Sequence, residues 1–223
     1  MGEVIRKDAA VEDILEDART TLMQATARGG EWQGAATARL TPVLDLASTV
    51  AARLQEAKRE SAPAEAALSV ANDVSDRLIN RISDDVWNLV GRPSLDAALD
   101  LIFPGGASTY TEGDTTEQPD RMALLADLLT SGIHPRLDRD KAQAFALEVR
   151  NDAEALRAKA EVVRPLRVRI ALATKMQQAI ARAAQSSLGA LKRSWKADGK
   201  SEVEIHTVIP DRHRTTTKPP PAP

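Results

Sequence analysis

The chain contains no cysteine. That excludes a disulfide framework, a thiolate nucleophile and cysteine-ligated zinc, and it suits a reducing compartment, so a cytoplasmic location is the default expectation. Aromatic residues are only 3% of the 223, which leaves the core to Ala, Leu, Val and Ile and provides no array for stacking nucleic-acid bases. The β-branched and aromatic runs of strands are nearly missing, whereas the good helix formers Glu, Arg, Ala, Leu and Gln are abundant, and this disfavours a β-rich fold. No stretch approaches the roughly 18 uninterrupted apolar residues of a membrane span. The segment from Met1 to Asp8 lacks the apolar core of a secretory signal, and Arg6 stands where a myristoylation signal needs Ser or Thr, so neither export nor lipidation is expected.

What is present is helical periodicity. Val11, Ile14, Leu15, Ala18 and Leu22 recur on one stripe of a helix expected from Asp8, as its cap, to Arg28, with Gly29-Gly30 as its end. Thr41-Pro42 reads as the start of a second helix, and Pro63 as a turn or kink before a third that runs from about Ala64 to Val90. A shorter helix over Ser94 to Phe103 precedes a polar stretch, about 104–119, that reads as a mobile loop, and Asp120 to Ser131 as another helix. From Asp138 to Ala197 almost everything is helical in pattern. An unbroken helix of that length would measure about 90 Å, more than a compact domain usually tolerates, so Pro165 is expected to divide or bend it. Ser201 to Ile209 alternates with period two and reads as one strand, and the Pro-rich end beyond Thr215 as polyproline-like extension without a packed core. The expected fold is an all-α antiparallel, up-and-down bundle over residues 1–199, followed by an extended segment and Pro-rich tail over 200–223.

The formal net charge of −2 conceals two opposed regions. Residues 1–154 hold 16 Lys/Arg and 27 Asp/Glu, and residues 155–200 hold 11 Lys/Arg and 2 Asp/Glu. On a helical wheel Leu166, Ile170, Ala173, Ile180, Ala184, Leu188, Leu191 and Trp195 share an apolar face. Arg164, Arg167, Lys175, Arg182, Lys192, Arg193 and Lys196 gather opposite it, with few acids nearby in sequence to neutralise them. Such a basic amphipathic helix suits acidic helices of the same or another protein, of which Glu12, Asp13, Glu16 and Asp17 are an example, or nucleic-acid phosphates, or an anionic membrane. The acidic overall balance, with a sequence pI near 6.0, weighs against generic nucleic-acid binding.

Catalytic chemistry has little to start from. Of three histidines, His206 and His213 lie near the end of the chain and His134 stands before Pro135 at a helix boundary, where a capping or exposed role is the ordinary reading. Adjacent carboxylates such as Asp84-Asp85 point about 100° apart on a helix and do not converge, and no spacing singles out a metal site from Glu16, Asp73 or Asp84. Pro104-Gly105-Gly106-Ala107-Ser108-Thr109 lacks the Lys of a phosphate-binding loop. No cofactor signature is found.

The sequence therefore leads to a non-enzymatic interaction or scaffold protein that self-associates or docks protein partners through helical faces. Val203, Ile205, Val208 and Ile209 are the candidate tail-docking residues, able as a strand to pair with a sheet edge. The alternatives are nucleic-acid binding through the basic helix face, and an enzyme or ligand-binding bundle whose site has no sequence signature.

Overall fold

The computed structural model describes residues 9–210. Their helices are α1 (Val11–Arg28), α2 (Gly30–Leu89), α3 (Ala97–Ile102), α4 (Ser108–Thr111), α5 (Gln118–Thr130), α6 (Arg139–Ala197) and α7 (Glu202–His206), and no strand occurs among these residues. Asp8 and the Pro-rich end beyond Thr215 lie outside the described residues; Ala10 occupies the N-cap of α1 and provides no side-chain cap. A single residue, Gly29, separates α1 from α2, and Gly29 and Gly30 adopt φ of 72° and 55°, left-handed values that a residue with a Cβ adopts only with strain.

The described chain divides into two compact units, one of residues up to Glu56 together with those from Ile170 onward, the other Ala57–Arg169. Helices α2 and α6 contribute to both. Each unit has its own core. Of the division or bend expected at Pro165, division does not occur: α6 is a single helix through that residue. A length too great for one domain is sustained because different neighbours cover its two parts. The same holds for α2, which begins at Gly30 rather than Thr41 and continues through Pro42 and Pro63. All three prolines are exposed, as are Ala38, Arg59 and Glu161 four residues before them. These positions lie on the solvent side of their helices, where the loss of an intrahelical donor costs least because water can replace it.

In the first unit α1, α2 and α6 pack around Leu15, Leu40, Leu44, Leu188, Leu191 and Trp195. Ala18, Ala36 and Ala184 are fully buried between them, and their small side chains let the helices approach closely. Trp32 near the start of α2 meets Trp195 near the end of α6 with ring centroids 4.5 Å apart, while Ala47 and Ala51 share a cleft with Gln177. Partner numbers that fall on one helix as they rise on the other make the pair antiparallel.

The expected strand is a helix. Ser201 accepts from the Glu204 backbone N–H while the Glu204 carboxylate takes the Ser201 N–H, a capping box that starts α7. Ile205, Val208 and Ile209 are buried in the first core, whereas Val203 is 78% exposed. The pattern i, i+3, i+4 was hidden in a segment too short for its periodicity to outweigh alternation.

In the second unit α2 and α6 are antiparallel as well, tied by Glu60–Arg169 at 2.6 Å, Glu65–Arg167 at 2.7 Å and Arg81–Glu148. Helix α5 runs antiparallel to α6 through Asp120–Arg157 at 2.7 Å and Asp127–Arg150 at 2.8 Å. Leu68, Ile82, Met122, Leu125, Val149 and Leu156 form the centre of its core. The stretch expected as a mobile loop folds around Tyr110 of α4, which is buried, donates its hydroxyl to the Ile102 carbonyl and meets Phe103 edge-on. Burial raises the Tyr110 pKa above its ordinary value.

Candidate functional site

Four of the seven basic residues predicted to form one interaction face are occupied within the chain. Arg167 makes a two-pronged contact with Glu65 at 2.8 and 2.7 Å and also reaches Asp114 at 3.5 Å. The Arg167 hydrogen bond and charge hold the Glu65 carboxyl below its usual range, against the opposing effect of burial. Arg164 pairs with Glu161 one turn earlier at 2.7 Å. Lys192 and Lys196 converge on Glu202 of α7 at 3.4 and 2.9 Å. Their hydrogen bonds hold that carboxyl below its ordinary value too. The local deficit of acids on α6 is thus met mostly from outside the helix. Glu65, Asp114 and Glu202 supply the counter-charges, whereas Glu16 on α1 pairs with Arg19 of its own helix.

Lys175, Arg182 and Arg193 are different. All three are exposed and none has an ion pair among the described residues. Spacings of seven and eleven residues return them to within about 20° of one another on the helix, so they form one line on the side of α6 away from its core. Leu172 and Met176, 58% and 38% exposed, lie beside that line. Sequence reasoning singled out the cations but missed these two apolar residues, although the same wheel sets them off the apolar face.

The described residues offer no comparable catalytic arrangement. Of the capping or exposed role expected of His134, exposure is not found: the side chain is buried and both ring nitrogens are engaged, Nε2 lying 3.1 Å from Asp96 and Nδ1 accepting the Arg136 backbone N–H at 3.2 Å. Asp96 caps α3 through the N–H groups of Ala98 and Leu99 and also binds Arg136 at 2.7 Å. Burial pushes the Asp96 carboxyl upward, but donors from Leu99, His134, Arg136 and Ala98 outweigh it and hold the pKa at about 2. A carboxylate and imidazole so fully hydrogen-bonded brace the α2–α3 and α5–α6 connections and leave no free lone pair for proton transfer.

On α2, Asp76 accepts from Asn72 at 2.8 Å and from Gln118 of α5 at 2.7 Å. This part-buried clamp ties α2 to α5. Among the described residues no three His, Asp or Glu side chains converge as a metal site. No described helix is long and apolar enough to cross a membrane. No protein-family model, curated protein or solved structure was found to match the chain.

Proposed function

We propose that the protein is a non-enzymatic interaction or scaffold protein that docks helical partners, a second copy among them, on the exposed face of α6. The observation that supports this reading is the line Lys175, Arg182 and Arg193, free of ion pairs among the described residues and flanked by Leu172 and Met176. Phosphates would gain from the cations alone, whereas an amphipathic helix with acidic flanks gains from the cations and from covering the two apolar side chains. The absence of cysteine suits this role in a reducing compartment such as the cytoplasm.

Nucleic-acid binding is the second reading, carried by the same cations. Oligonucleotide titrations across a salt series, beside light-scattering mass of the full chain, discriminate between the two. The proposal expects concentration-dependent protein association that is lost on Lys175→Glu/Arg182→Glu/Arg193→Glu. Tight oligonucleotide binding that weakens steeply with salt, by a protein that stays monomeric, would replace it.

A further inference from the structure

The acidic counterpart of the α6 face is present on the same unit. A cleft of about 430 Å³ is lined by the apolar Val11, Leu15, Ala47 and Ala51 and by the polar side chains of Glu12, Asp13, Glu16 and Arg19 of α1 and Gln177 of α6. Arg19 pairs with Glu16 at 3.5 Å and Asp13 is engaged as well, so the acidic character offered to a partner rests on Glu12 and on Glu16, whose side chain is 60% exposed. A lining both apolar and acidic complements an apolar pair beside a line of cations in both components.

The two surfaces cannot meet within one molecule. Gln177, which lines the cleft, follows Lys175 by two residues, and about 200° of helical rotation sets them on opposite sides of α6. We infer that the cleft at α1 accepts the α6 face of a second copy of this chain, an inference that rests on the docking role proposed above. Because donor and acceptor surfaces lie on opposite sides, the contact is heterologous: each copy that docks leaves its own cleft open for the next. Such a contact generates rings when its rotation closes and open assemblies when it does not.

Two sets of exposed substitutions test this in the full chain. Lys175→Glu/Arg182→Glu/Arg193→Glu disables the donor face, and Glu12→Lys/Glu16→Lys disables the cleft. Light-scattering mass at low salt is expected to exceed two chains for the wild type and to fall to one chain for either variant, association being weakened about tenfold or more. Circular dichroism checks that both variants remain folded. An equimolar mixture of the two is expected to stop at two chains, because the intact face of one docks the intact cleft of the other and growth ends there. A wild type that is monomeric, or that stops at two chains, overturns the head-to-tail contact. If the donor variant dissociates while the cleft variant assembles normally, the cleft assignment fails and the α6 docking role survives. If both variants assemble like the wild type, both proposals fail.

Discussion

Asp96 shows how much one side chain can organise. It caps α3, fixes the tautomer of His134 and holds Arg136. Its folded pKa of about 2 lies below the unfolded value, so its contribution to stability is complete above about pH 4 and is lost as the pH falls through the folded value. Thermal melts followed by circular dichroism are expected to show the wild type losing stability between about pH 4 and pH 2, and Asp96→Ala to be less stable at neutral pH with a flatter response in that window. Trp195 makes a different point. It is 1% exposed and its Nε1 finds no hydrogen-bond partner among the described residues. Trp195→Ala is expected to cost about 3–5 kcal/mol in urea denaturation. Trp195→Phe is expected to cost much less, since it keeps a ring against Trp32 and removes the unpaired donor. Burial of Trp195 was readable from the wheel. The pairing of His134 with Asp96 was not, because 38 residues separate them and only the turn geometry brings them together.

Among the elements, the long helices were legible wherever an apolar stripe repeated, as in Leu188, Leu191 and Trp195. Their continuity was not. Local rules give every internal proline the same penalty, but Pro42, Pro63 and Pro165 lie on wet faces where the loss is smallest. Pro165→Ala is therefore expected to restore one hydrogen bond without disturbing a core and to stabilise the protein by up to about 3 kcal/mol, measured by urea denaturation. The C-terminal segment was misread for the opposite reason, since five helical residues are too few to display a period. Ile205→Ala is expected to destabilise the first unit by about 2–5 kcal/mol. Ending the chain at Gly199 is expected to do more harm than ending it at Pro210, because only the shorter chain loses Ile205, Val208 and Ile209 from the core.

For the whole molecule, the opposed charges of residues 1–154 and 155–200 were plain in the sequence, but which cations remain available was not. That depended on partners outside α6, distant in sequence for Glu65 and Asp114 and brought back by the turn into α7 for Glu202. Association through the α6 face is expected to weaken as sodium chloride rises from about 0.05 to 0.5 M, because exposed charges lose their mutual attraction as the screening length shrinks. A chain ending at Pro210 is expected to follow the same curve in sedimentation velocity. The distribution of the three tryptophans provides native optical labels. Trp32 and Trp195 form a close pair in the first unit, while Trp87 in the second is 41% exposed and donates its indole N–H to the Pro93 carbonyl. Emission from the sheltered pair should lie to the blue of Trp87 emission, so denaturant would redden the first unit's signal more strongly than the second's without any attached dye.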